Sequence, residues 1–258
     1  MSNRTVFILL GVAAILVLLA SLGNLQREPD NTQAGRLFLP GLESMLSEAN
    51  QVTIVKGGNE AVATLQRNAD GWTVAERGGY PADFAKFRSS LLALAEARVL
   101  EVKTSDPEQY NRLGVEDVGQ TAAAGLAVTI ESPGNSATVV VGESDGNYRY
   151  VRQAEEAESY LIDRNPNFGT ETTDWLDTNL LDISGDRVRQ VSVTHPDGET
   201  VLVTKTDAAQ TNFSLDSIPE GRELLYDSVA NVTGNVLERL RFDDVAKADE
   251  SEDAILVE

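Results

Sequence analysis

Apolar positions are most concentrated near the N-terminus of the chain. Residues 6–22 form a run of seventeen residues without a charge, with Arg4 before it and a polar stretch after it. As a helix this run would be about 25 Å long, close to the thickness of a bilayer core. We therefore expect residues 1–27 to form an uncleaved membrane anchor. The alternative is a cleavable signal peptide, although such peptides have a shorter apolar region and an A-x-A-like site.

Strand and helix periods alternate in the segment that follows. Residues 28–36 are polar, contain proline and glycine, and predict a linker. A short helix is expected near Pro40, followed by alternating strands in QVTIV, AVATLQR and GWTVAER. After Pro81, apolar residues recur at helical spacing as far as Leu94. Residues 37–115 therefore predict a βββα module.

A similar order recurs in residues 184–242. The segment RVRQVSVTHPDGETVLVTK predicts two strands joined by a tight turn at His195, and Phe213 lies in a third strand. A capping-box pattern at Ser217 predicts the start of a helix. The apolar face of this helix would consist of Leu225, Val229, Val232 and Val236. The two segments align with Gln190 placed on Gln51, so we infer an internal duplication of the βββα module.

Residues 116–183 lie between the two modules and carry a different pattern. The short alternating segments LAVTIES, ATVVVG, NYRYVR and SYLID predict an antiparallel meander, and TTDWLDTNLLDI predicts a brief helix. The predicted fold class is α+β, with a duplicated βββα module flanking an antiparallel β-meander and one N-terminal transmembrane helix. Residues 243–258 predict an acidic, solvated tail, with AILVE as a last strand being the alternative.

Charge and composition narrow the possible classes of function. The 258 residues include 41 acids and 21 bases, which gives a formal net charge of −20. This charge repels phosphate backbones, so we expect no nucleic-acid partner. The chain has no cysteine and a single histidine, which excludes disulfides, thiol chemistry and multi-histidine metal sites.

Candidate catalytic and metal-binding residues are few. The sequence has no glycine-rich nucleotide-binding motif and no H-E-x-x-H zinc motif. His195 lies in a predicted turn, and the acidic clusters at residues 155–158 and 243–244 lack the spacing of a calcium loop. Trp72 and Trp175 lie in apolar periodic segments and are expected in the core. We therefore expect no enzyme activity, no cofactor and no metal.

One strand segment combines aromatic and basic residues in this acidic chain. In GESDGNYRYVR, alternation places Tyr148, Tyr150 and Arg152 on one face, and Arg149 and Val151 on the other. Tyrosine and arginine are enriched in interface hot spots, so the first three residues are candidates for contact with a partner. The alternative is a sheet face on which the tyrosines cover the core and Arg152 pairs with an acid.

The order of several short motifs resembles that of a known bacterial family. These motifs are LPGL, GW, YPAD, KTSDPEQYNRLGVED, VVVGES, YRYVR and DWLDTNLLDI. Together they are similar to the domain-of-unknown-function family 4340 (DUF4340), over residues 37–242. The resemblance implies a membrane-anchored exported protein, often linked with ABC-type transport and gliding-motility auxiliary systems. It supplies no catalytic residues.

The anchor and the resemblance together define the expected function. With Arg4 inside, the protein would be a single-pass protein of the inner membrane with its C-terminal domain in the periplasm. We expect a non-enzymatic accessory protein that binds another protein of an ABC-type transport or envelope system. The alternative is a small-ligand or glycan sensor with a cleft between the two modules.

Overall fold

The computed structural model describes residues 33–207, 209–218 and 220–247. The chain forms two compact units, divided between Leu176 and Asp177. The predicted anchor, most of the linker and the end of the acidic tail lie outside the described residues. Within the described ranges, no helix has the length and apolar character needed to cross a membrane.

The first unit contains one large antiparallel sheet. Its helices are α1 (Leu42–Glu48) and α2 (Phe84–Ala95). Its strands are β1 (Gln51–Lys56), β2 (Glu60–Asn68), β3 (Gly71–Val74), β4 (Tyr80–Pro81), β5 (Val99–Val102), β6 (Leu126–Ser132), β7 (Asn135–Asp145), β8 (Tyr148–Gln153) and β9 (Ser159–Ile162). Short 3₁₀-helices span Ala75–Arg77, Pro107–Arg112 and Thr172–Trp175. The strand order is β4-β3-β2-β1-β6-β7-β8-β9-β5.

The predicted first module and the predicted meander share this sheet. β1 pairs with β6, with Gln51 opposite Glu131 and Val55 opposite Ala127. β5 follows α2 and pairs with β9 at the far edge of the sheet. The α+β class and the antiparallel strands are confirmed, but residues 37–115 do not form a sheet separate from the meander.

Helix α2 covers the core with most of the face that its apolar spacing predicts, but Phe84, which was also expected in the core, is 53% exposed. Phe87 and Leu94 are buried, and the Phe87 ring lies 4.8 Å from Trp72 and 6.4 Å from Trp175 between ring centroids. The helix begins later than expected because Pro81 belongs to β4 and the Asp83 side chain caps the first turn. Trp175 is fully buried, which confirms that it is a core residue.

A strap formed by residues 33–38 lies along β5. The Gly35 amide donates to the Val99 carbonyl at 2.8 Å, and the Val99 amide donates to the Arg36 carbonyl at 2.9 Å. The Arg36 guanidinium donates to the Tyr160 hydroxyl at 3.1 Å, and that hydroxyl donates to Glu158 at 2.6 Å. The strap therefore joins the incoming chain to β5 and β9.

The second unit contains smaller sheets. Strands β10 (Asn179–Leu181) and β14 (Leu240–Arg241) pair with each other. Strands β11 (Gln190–Thr194), β12 (Thr200–Thr204) and β13 (Ser214–Leu215) form a three-stranded antiparallel sheet. The predicted turn is confirmed, because the Gly198 amide donates to the His195 carbonyl at 2.8 Å.

The long helix predicted after Ser217 is wrong. Among the described residues of this segment, only α3 (Asn231–Gly234) is α-helical. Leu225, predicted on the apolar face, is 86% exposed. Gly221 has a φ of 78°, a left-handed conformation that a continuing helix cannot contain.

Candidate partner-binding groove

The predicted strand β8 is present, but its residues differ widely in exposure. The strand follows a hairpin in which Asp145 pairs with Tyr148, so the loop consists of Gly146 and Asn147. Tyr148 is 43% exposed, Tyr150 is half-buried and Arg152 is only 3% exposed. The three candidate residues therefore share a face without forming one surface patch.

Arg152 connects three neighbouring segments of the first unit. Its Nε donates to the Val115 carbonyl at 2.9 Å, and Nη1 donates to the carbonyls of Ala154 and Glu156, each at 3.0 Å. Nη2 forms an ion pair with Asp117. These partners use the guanidinium donors inside the molecule, which corresponds to the alternative of a sheet face with a paired arginine. A contact of Arg152 with a partner remains a prediction.

Tyr150 lies between the core and an open groove. It packs against a small buried cluster formed by Tyr110, Val115 and Val140. On its other side the ammonium group of Lys103 lies 5.7 Å from the ring centroid, within the range of a cation–π contact. Tyr150 is therefore held in place by the core while part of its ring lines the groove.

The groove lies beside the 3₁₀-helix at Pro107–Arg112 and has a cavity of about 450 Å³. This partner groove is lined by Lys103, Thr104, Gln109, Arg112, Leu113 and Tyr150. A neighbouring cavity of about 560 Å³ shares Lys103, Thr104 and Gln109 with it. The Asp106 side chain caps the 3₁₀-helix by accepting from the Glu108 amide at 3.0 Å. The helix wall of the groove is thus fixed by local capping.

The two cations of the partner groove differ in their charge partners. Lys103 forms an ion pair with Glu101 at 2.7 Å. Arg112 is exposed and donates to the neutral Gln109 side chain at 3.2 Å. Arg112 forms no ion pair with any residue that the structure describes. Its charge is therefore available to a group from outside the chain.

Arg149 stabilises the hairpin from the opposite face of β8. Its Nε donates to Asn165 at 2.8 Å, and its Nη1 donates to the Gly142 carbonyl at 2.9 Å. Burial lowers the pKa of the Arg149 guanidinium from its usual value. Arg149 is thus a structural residue of the hairpin and does not reach the partner groove.

The other sequence candidates lie apart from this groove. His195 is exposed in the β11–β12 turn of the second unit. Glu155 and Glu156 are exposed, while Glu158 accepts the Tyr160 hydroxyl. No group of three or more acidic or histidine side chains arranged to hold a metal ion occurs among residues 33–207, 209–218 and 220–247.

Comparison with known proteins places the chain in a family. A family model described as a domain of unknown function (DUF4340) matches residues 72–258, more than half of the chain. The chain belongs to the DUF4340 family. No curated protein and no solved structure matches it. The matched range includes every residue that lines the partner groove.

The sequence pattern did not single out the two cations of the partner groove in this DUF4340 chain. Lys103 and Arg112 lie more than 35 residues before Tyr150 in the sequence, and only the fold brings them together. The signal available was the presence of two bases around the capped Asp106 turn of an acidic chain. That signal gave no indication that the turn would face β8.

Proposed function

We propose that this DUF4340 chain is a non-enzymatic accessory protein that binds another protein. Residues 1–27 would anchor it in the inner membrane in a single pass, with the C-terminal part in the periplasm. The partner would belong to an ABC-type transport or envelope system, as the resemblance described above implies. The supporting observation is Arg112, an exposed cation that forms no ion pair with the described residues of a chain that has 41 acids.

The chemistry of the partner groove defines the segment that it would bind. Arg112 and Lys103 favour a carboxylate, because charge-assisted hydrogen bonds are stronger than neutral ones. Tyr150 and Leu113 offer apolar contact next to these charges. The proposed ligand is therefore a protein segment with an acidic side chain next to an apolar one, and Tyr148 would add contact area at the exposed end of β8.

The internal duplication is part of the same proposal. In the second unit, β11, β12 and β13 repeat the antiparallel order of β1, β2 and β3. The second copy would be a shortened version of the first, since its helical part is reduced to α3.

Site-specific crosslinking in intact membranes tests the proposal. A photo-crosslinking amino acid placed at Gln109, inside the partner groove, should join the full chain to one protein that mass spectrometry can identify. The same amino acid at Asp70, in the exposed β2–β3 turn, is the control and should not crosslink to that protein. Arg112→Glu should reduce the crosslinked product about tenfold or more, since a repelled carboxylate loses a charge-assisted bond.

Arg88→Glu serves as the matched charge reversal, because Arg88 is an exposed arginine on α2 and does not line the partner groove. It should leave the crosslinked product unchanged. Equal crosslinking in the Arg112→Glu and Arg88→Glu proteins would rule out the groove as the contact. Failure of position 109 to crosslink any protein would rule out the proposed function.

A further inference from the structure

A second groove of the first unit lies between α1 and α2, beside the ends of β2 and β3. It has a volume of about 350 Å³, within the range of small-molecule sites. Trp72 and Phe87 form its floor, Phe84 and Leu92 line the α2 wall, and Arg67 and Arg88 lie at its rim. We call it the interhelix groove.

Strand pairing and helical spacing explain how these residues come together. Arg67 lies opposite Trp72 in the β2–β3 pair, so the two side chains point to the same face of the sheet. On α2, Phe84, Arg88 and Leu92 are spaced four residues apart and form one ridge. The ridge and the strand pair each carry an arginine beside an aromatic residue.

The interhelix groove exposes apolar surface to solvent. Phe84 is 53% exposed, although its neighbour Phe87 is buried. Trp72 is half-buried, and its ring packs against Phe87 from inside the groove. An apolar ligand that covers Phe84 and Trp72 would remove this surface from water and gain the corresponding hydrophobic free energy.

The charges at the rim favour an anion. Arg67 and Arg88 are exposed and form no ion pair with the described residues. Arg67 donates to the Ser47 carbonyl at 3.3 Å, which holds it near the C-terminal end of α1. The acid that lines the groove is Glu43, so two bases face one acid within a chain of net charge −20.

We propose that the interhelix groove binds a single-chain anionic amphiphile, a molecule with one alkyl chain and one anionic head group. The alkyl chain lies over Trp72, Phe87 and Phe84, and the head group is held between Arg67 and Arg88. Glu43 disfavours the anion and limits its affinity. A free fatty acid and a lysolipid with an anionic head share this chemistry. This site is separate from the partner groove and does not depend on the proposed function.

Decanoate is the probe that tests this site. The full chain is placed in nanodiscs of zwitterionic phosphatidylcholine, and decanoate is added while tryptophan fluorescence is followed. Trp72 lies in the groove and Trp175 is fully buried, so the signal should saturate in the wild type and disappear in Trp72→Phe. Empty nanodiscs correct for decanoate that enters the lipid.

Charge variants at the rim show whether the head group is recognised. The double variant Arg67→Gln with Arg88→Gln should raise the Kd for decanoate about tenfold or more, because two charged donors are lost. Glu43→Gln should lower the Kd, since it removes the one acid of the rim. Arg112→Gln, a change in the partner groove, is the matched control and should leave the Kd unchanged.

Two further probes separate the two parts of the ligand. Butyrate carries the same head group with a short chain, and 1-decanol carries the same chain with a neutral head, so both should bind more weakly than decanoate. The proposal is overturned if 1-decanol binds as tightly as decanoate, if the double arginine variant keeps the wild-type Kd, or if no saturable signal is seen. A photoreactive decanoate should label the peptide that contains Phe84 and Leu92. Competition of this labelling by a lysolipid or by a free fatty acid then shows which of the two binds more tightly.

Discussion

Arg152 shows how a single buried charge can organise several loops. Its guanidinium satisfies the carbonyls of Val115, Ala154 and Glu156 and contacts the Tyr110 ring at 4.7 Å from the centroid. The charge partner Asp117 is exposed and can be solvated by water. Arg152 therefore contributes to stability more through the carbonyl hydrogen bonds than through the ion pair.

Replacement of Arg152 should therefore destabilise the first unit. Arg152→Met keeps most of the side-chain volume but leaves the buried Val115 carbonyl and two part-buried carbonyls without their donor, and we expect the free energy of unfolding to fall by about 2–4 kcal/mol. Both tryptophans belong to the first unit, so urea unfolding followed by tryptophan fluorescence reports on it alone. Arg112→Met is the control and should change the value by less than about 0.5 kcal/mol. Equal effects of the two changes would contradict this role for Arg152.

Tyr160 makes the free energy of unfolding depend on pH in the alkaline range. Burial and the hydrogen bond to Glu158 raise the pKa of Tyr160 to about 12. An unfolded tyrosine ionises near pH 10. Between these two values the unfolded chain loses the proton and the folded chain keeps it, so stability is fully present below about pH 10 and falls as the pH rises toward 12.

Tyr160→Phe should flatten this alkaline decline. Urea midpoints measured from pH 8 to 11.5 should fall less steeply in the variant than in the wild type, while at pH 8 the variant is less stable because the hydrogen bonds to Arg36 and Glu158 are lost. Tyr148→Phe, a change at an exposed tyrosine, provides the reference slope. An unchanged slope in Tyr160→Phe would show that Tyr160 is not the group responsible.

At the scale of elements, β7 passes close to the loop that carries Leu113, one of the residues that line the partner groove. A side chain at Gly142 would collide with the Leu113 carbonyl and would lie 2.8 Å from Val115 Cγ1. The Glu143 amide donates to the same Leu113 carbonyl at 2.9 Å. Glycine at position 142 thus allows the loop that carries Leu113 to pack on β7.

Gly142→Ala should displace this loop. We expect a loss of about 1–3 kcal/mol in the free energy of unfolding, the usual cost of overpacking, measured by the same tryptophan-detected urea unfolding. Gly119→Ala is the matched control, because a methyl group there would meet its nearest neighbour at an ordinary 3.7 Å. If Gly142→Ala were as stable as Gly119→Ala, the close approach of β7 to the loop would be refuted.

At the scale of the whole molecule, local patterns predicted hairpins but not the order of the sheet. Alternation and turn residues located β1 to β3 and β6 to β9, because these signals are encoded within each segment. The pairing of β1 with β6 joins strands 70 or more residues apart, and a period of two does not identify a neighbour. The wrong prediction of a helix after Ser217 has a related cause. Apolar spacing does not indicate the left-handed backbone conformation of Gly221, which interrupts a helix.

The candidate sites were predictable to a similar degree. The face of β8 followed from alternation, which made Tyr150 a candidate. The burial of Arg152 could not be predicted, because its acceptors come from loops at Val115, Ala154 and Glu156. The interhelix groove combines Arg67 and Arg88 from two different elements, and no single segment contains that combination.

The strap of residues 33–38 also affects how the sheet meets other molecules. An uncovered edge strand presents free amides and carbonyls on which a strand of another chain can add. At one edge β4 is short and contains Pro81, which has no amide hydrogen to offer. At the other edge the Val99 carbonyl and amide are already hydrogen-bonded to Gly35 and Arg36. A chain shortened to begin at Pro40 would leave those hydrogen-bonding groups uncovered and create a template for aggregation, so residues 33–38 also protect the sheet from edge-to-edge association.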